Sequence, residues 1–158
     1  MDLRIALAEN TIEVYEGGNW TDVNIKDTLA DVDYIEASTI VDGYANTIAG
    51  LVHHITFYNQ VVKSRLYGIY DTIPAANGFD VKDVKGPEEW YGLQKDSLRS
   101  AQDLAVAIQS FPLDKLFTPT KNKDVTFYKM LQGLTEHTHY HLGEIVVLKK
   151  IIKQHIEA

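Results

Sequence analysis

Apolar residues recur at helical spacing in four stretches of this chain, and no segment alternates polar and apolar residues for more than a few positions. The first stretch, LRIALAENTIEVYE (residues 3–16), stops at Gly17-Gly18. A short piece, IKDTLADV, follows with Asn24 as its cap. A second long helix is predicted from a cap at Asn46 through TIAGLVHHITFYNQVVKSRLYG. Ile48, Leu51, Val52, Ile55, Tyr58, Val62, Leu66 and Ile69 form its stripe, and Gly68 and Pro74 end it. Residues 71–92 hold two of the four prolines and three glycines without a clear period, which predicts a long connection. A connection of that length inside a compact domain is usually functional. A third helix spans about 93–110 on Leu98, Ala101, Leu104, Ala105 and Ile108, until Pro112 breaks it. The fourth begins near Asp124 and runs to the end. Four long amphipathic helices with no sheet predict an all-α protein, a four-helix bundle with a long crossover connection.

Composition narrows the chemistry that such a bundle can carry. At 158 residues the chain is the size of one domain spanning 1–158, able to bury roughly two thirds of its unfolded surface. Without cysteine it has no disulfide, no thiolate nucleophile and no sulfur ligand, so a metal would have to be held by His, Asp or Glu. A formal charge of −7 repels phosphate backbones and argues against nucleic-acid binding. Lys149, Lys150 and Lys153 form the one basic run, expected as favourable cations in the last turns of a helix. No apolar run reaches the length of a membrane span, and the opening MDLRIALAEN lacks the basic start and apolar stretch of a signal peptide, which predicts a cytoplasmic protein with no membrane partner.

The candidate chemistry lies in EHTHYHLGE (136–144), where three of the six histidines stand at alternate positions. On a helical wheel with His137 at zero, Phe127, Met130, Leu134, Ile145 and Leu148 fall between about 20° and 80°, and His141 falls at about 40°. Both histidines therefore lie on the apolar stripe, while His139, at about 200°, points away toward solvent. Buried imidazoles need partners. Their i, i+4 spacing suits two nitrogens converging on one transition-metal ion, and equally suits two core histidines bonded to tyrosines or carboxylates of other helices. In the second helix, His54 flanks the apolar stripe and His53 lies almost opposite it, so His54 is the better third ligand. Other bundle chemistries do not fit. A di-iron carboxylate site needs two Glu-x-x-His motifs, and only Glu136-x-x-His139 is present, facing outward. No HExxH, glycine-rich phosphate loop or GxSxG elbow occurs.

Several motifs together resemble the DinB-like (DinB/YfiT) superfamily of bacterial four-helix-bundle proteins, over nearly the whole chain. They are GGNW at 17–20 followed by NIKDTL, NTIAGLVHHI at 46–55, the tryptophan of PEEW at 87–90, and EHTHYHLGEIVVLKK. The resemblance implies a divalent metal, nickel or zinc, on three histidines, which map to His54, His137 and His141. The residues and the resemblance thus select the same three. Many relatives have glutamine where this chain has Glu144, which the wheel puts at about 340°, on the rim of the histidine face. Glu144 is expected either to accept the second ring proton of a ligand, to act as a base, or to be a surface carboxylate. The resemblance further implies a thiol-dependent transferase or a hydrolase, acting on a small-molecule substrate such as a low-molecular-weight thiol supplied from outside, and a homodimer. A non-catalytic binding or stress-response module, with the metal as a staple, is the competing expectation. The 71–92 connection is expected to shape the substrate pocket.

Overall fold

A computed structural model describes residues 2–156, and the described residues are helical with no strand beyond an isolated bridge between Pro119 and Thr126. The helices are α1 (Leu3–Glu16), α2 (Ile25–Leu29), α3 (Tyr34–Ser38), α4 (Ile48–Leu66), α5 (Pro87–Ser110) and α6 (Phe127–Ile156), with a single 3-10 turn at Leu113–Lys115. The last two residues of the predicted fourth helix lie outside the described residues. None of the helices is long and apolar enough to cross a membrane.

Caps fix where several of these helices start. Asp2 accepts from the Arg4 backbone, Asn24 from Asp27, and Asp33 and Glu36 form a reciprocal capping box that makes α3 stable enough to exist at five residues. At α4 the cap is Thr47, whose hydroxyl accepts from Gly50 N at 3.0 Å, and not the expected Asn46. Thr47 satisfies the orphan amide of the first turn, so the helix needs nothing from Asn46. Ile69, expected on the α4 stripe, lies beyond the helix end and is half exposed. The fourth long helix starts at Phe127 rather than near Asp124, because residues 120–126 are held in a turn by Thr120 N to Val125 O and Val125 N to Asn122 O. The main correction concerns the long connection. Residues 87–92 are already helical, with Pro87 in the first turn, acidic Glu88 and Glu89 beside it, and Trp90 buried at 4% exposure. The connection therefore shrinks to residues 67–86.

The four long helices pack pairwise in the cyclic order α1, α5, α4, α6, the neighbour pattern of a bundle. Side-chain pairs give their directions. Asn59 to Ser100 and Lys63 to Asp103 advance together, so α4 and α5 run parallel. Glu16 to Gln102 and Arg4 to Phe111 run oppositely, so α1 and α5 are antiparallel. Early α4 shares one apolar cluster with late α6, and Val62 and Leu66 share the other with Leu131 and Leu134, so these two helices are antiparallel as well. Parallel neighbours cannot be joined by a tight turn. After α4, 19 residues and about 28 Å long, the chain must travel back along the bundle before α5 begins, and residues 67–86 make that journey over the outside of α4.

Two apolar clusters fill the interior, one around Val14, Leu51, Ile55, Ile145 and Leu148, the other around Leu7, Leu104, Ile108, Leu116 and Leu131. Between them lies a polar layer. There the Asn59 amide donates to the Tyr15 hydroxyl at 2.7 Å and to Ser100 at 2.9 Å, and burial pushes the Tyr15 phenol up to about 12. Far from this layer, Lys149 and Lys153 do more than soften a helix terminus. Lys149 bonds Thr28 O and the Asp31 carboxylate, and Lys153 bonds Asp31 O and Glu36, tying α6 to the short helices.

Candidate metal centre

The polar layer also holds the histidines. His54 projects from the first third of α4 and His137 and His141 from the middle of α6; because the helices are antiparallel, the two depths coincide. His54 and His141 are buried, at 3% and 8% exposure, and His137 is half-buried. Their Nε2 atoms converge, with His137 Nε2 lying 3.1 Å from that of His54 and 3.1 Å from that of His141. The three side chains are close enough to hold one metal ion.

Hydrogen bonding on the far side of the rings decides what those nitrogens are. His54 Nδ1 lies 2.7 Å from the carbonyl of Asn77, which can only accept, so Nδ1 carries the proton. His141 Nδ1 lies 2.5 Å from Oε2 of Glu144 and likewise donates. In the neutral rings both Nε2 atoms are then lone pairs aimed at the same point. If His137 Nε2 carries a proton, it must be shared between two acceptors and Nδ1 becomes an unpaired lone pair. If it carries none, three lone pairs face one another. His137 Nδ1 is buried without a partner in either case. A cation at the common point resolves the crowding. Two imidazole nitrogens held about 2.05 Å from an ion, at octahedral to tetrahedral angles, stand about 2.9–3.35 Å apart. The observed 3.1 Å falls inside that range, so the residues fit the group.

Electrostatics point the same way. Burial lowers the pKa of His54, and it lowers that of His137 to about 4, with the like charges of His141 and His54 adding to the effect. Metal ligation requires neutral imidazoles, and the surroundings keep these two neutral at physiological pH. Aromatic rings complete the enclosure. Phe79 stacks on His54 at 4.0 Å with a 13° tilt, and Tyr58 packs edge-on against both His54 and His137 at 5.0 Å.

Every expected site residue can be placed. His54, His137 and His141 come together as the sequence indicates. Glu144, a third exposed, is bonded to His141, the ring-proton acceptor of the expected alternatives. His139 stays outside the cluster, half-buried, its Nδ1 bonded to the Thr135 carbonyl of its own helix. His53 is also no ligand; its Nδ1 donates to Gly78 O at 2.8 Å. Asn77, Gly78 and Phe79 are the residues that sequence reasoning passed over. The one signal for them was the Asn-Gly pair, a turn marker inside a stretch without period.

Fold and site together define an all-helical protein with a three-histidine constellation able to hold a metal ion. Compared with protein-family models, with curated proteins and with solved structures, the chain matches none.

Proposed function

We propose that the chain is a divalent-metal protein of the DinB-like kind, with nickel or zinc on His54, His137 and His141, and that it works as a metal-dependent thiol transferase or hydrolase. The observation that carries the metal is the convergence of two committed lone pairs on the Nε2 of His137, 3.1 Å from each. His54, His137 and His141 would hold the divalent ion, which would supply Lewis-acid activation of an oxygen or sulfur nucleophile. The protein's own residues do the rest. Asn77 and Glu144 hold the ring protons that keep Nε2 free on His54 and His141. Half-buried Tyr58 and Phe79 pack on the ring of His54, and Tyr140, exposed, packs against His141. Any thiol must arrive as a co-substrate, since the chain has none. By the same resemblance the working unit is proposed to be a homodimer.

Metal analysis of the purified protein tests this. Alanine variants of the three histidines are each expected to lose the ion while His139→Ala retains it; retention in all three would remove the site. Turnover is then sought with thiol-conjugation and hydrolysis substrates before and after chelation. One observation favours the second reading, a structural staple: the three histidines come from both α4 and α6 between two separate apolar clusters, so an ion held there would cross-link the two helices. A large fall in melting temperature on chelation, without metal-dependent turnover on either substrate class, would select the staple.

A further inference from the structure

The connection over α4 contains two consecutive tight turns, Pro74–Asn77 and Ala76–Phe79, and the geometry of the second is unusual for its place. Asn77 and Gly78 have φ of +53° and +78°, and Phe79 N bonds Ala76 O at 2.8 Å, which makes a type I′ turn. Such turns are selected in β-hairpins, where their twist matches the flanking strands. No strands flank this one, so chain reversal in a hairpin does not account for it. Its contacts do. The two central carbonyls, which the turn itself leaves unused, accept from consecutive imidazoles: Asn77 O from His54 Nδ1 and Gly78 O from His53 Nδ1. Neighbouring residues on a helix diverge by about 100°, so the pair of bonds straddles α4. One turn along, the Tyr58 hydroxyl donates to Asn77 Oδ1 at 2.6 Å. Phe79 lies flat on His54, and Gly78 approaches so closely that an added Cβ would stand 2.7 Å from Phe57 Cδ1.

We propose that this turn is the positioning element of the metal-ligand histidine, with Asn77 as its positioning residue. Asparagine suits the place on two counts. It tolerates the left-handed backbone that aims its carbonyl at His54, and its side chain takes the Tyr58 hydroxyl that fixes the turn's register. His54 is thereby locked as the Nδ1–H tautomer with Nε2 free whether or not an ion is present, and His53 serves as a clamp for the turn. The metal arm of this inference rests on the three-histidine reading; the tautomer arm does not.

The test has both arms. Nitrogen NMR of the metal-free protein at mildly alkaline pH is expected to find His54 with its proton on Nδ1, and Asn77→Val, which disfavours positive φ, is expected to release it into a mixture. In chelator competition with zinc, Asn77→Val is expected to lose about 10–100-fold in affinity, the effect usual for an outer partner of a ligand histidine. Asn77→Gly keeps the carbonyl and adopts φ +53° freely, and is expected to recover most of that loss. Should Asn77→Val fail to fold, Tyr58→Phe removes the register bond without touching the backbone and is expected to weaken zinc binding by a smaller factor. A proton on His54 Nε2 in the wild-type protein, or unchanged zinc affinity in both Asn77→Val and Tyr58→Phe, overturns the inference. Zinc binding that ignores the histidine variants instead sinks the proposed metal site, and the tautomer measurement still decides the role of the turn.

Discussion

Of the three histidines that could hold an ion, His137 is the one its surroundings support least. The rings of His54 and His141 each have an acceptor for their Nδ1 proton, whereas His137 Nδ1 is buried with none, and its Nε2 faces two lone pairs. Without an ion the residue is a burden on the fold, since a buried unsatisfied polar atom costs about 1–3 kcal/mol. His137→Leu is therefore expected to abolish metal binding and yet to raise the stability of the metal-free protein, by about 1 kcal/mol in urea denaturation. His54→Leu should behave oppositely. It leaves Asn77 O without its donor and removes the Phe79 stack, so the metal-free protein should lose stability. If both substitutions destabilise the metal-free protein alike, the crowding inferred for His137 is wrong.

At the level of elements, periodicity made some parts of the structure legible and hid others. The i, i+4 pair on α6 stands out because its neighbours, Leu134, Ile145 and Leu148, are apolar and buried. The start of α5 was hidden because Pro87 and Gly92 resemble loop punctuation and because Trp90 is its one buried residue before Ser97, too few to show a period. Short α3 rests on a capping box and not on a period. The crossover turn left only its Asn-Gly pair as a trace, because a backbone carbonyl that accepts from a histidine leaves no mark on residue type. Trp90 binds the missed segment to the rest, its indole Nε1–H donating to Val32 O at 2.7 Å inside the core. Trp90→Phe should leave that carbonyl unpaired and lower unfolding free energy by about 1–3 kcal/mol, measured by chemical denaturation followed by circular dichroism. A loss within a few tenths would mean that the bond contributes nothing to anchoring α5 against the segment between α2 and α3.

At the scale of the whole molecule, the polar layer sets the pH range over which the bundle holds. In the folded, metal-free protein His137 titrates at about 4 and His54 is also lowered, both chiefly through burial, while the unfolded chain takes up those protons near the ordinary histidine value of about 6.5. Between those limits the unfolded state binds more protons, so stability is complete above about 6.5 and falls as the pH drops toward 4. The alkaline side has the opposite sign. Tyr15 is raised to about 12 against about 10 in an unfolded chain, so its contribution is complete below 10 and is lost as the pH climbs through 12. A bound ion adds to the acid side alone. At 100 times its dissociation constant it stabilises the fold by about 2.7 kcal/mol at neutral pH, and protons displace it from the imidazoles as they titrate. Scanning calorimetry with zinc or with a chelator, repeated from acid to alkaline pH, should therefore give two melting curves separated at neutral pH. They should stay separated until the pH falls to about 4, where the folded protein takes up the His137 proton, and fall together above 10. Curves that coincide already at neutral pH would mean that these three histidines hold no ion, because burial keeps His54 and His137 neutral, with lone pairs free to bind one, over that whole range.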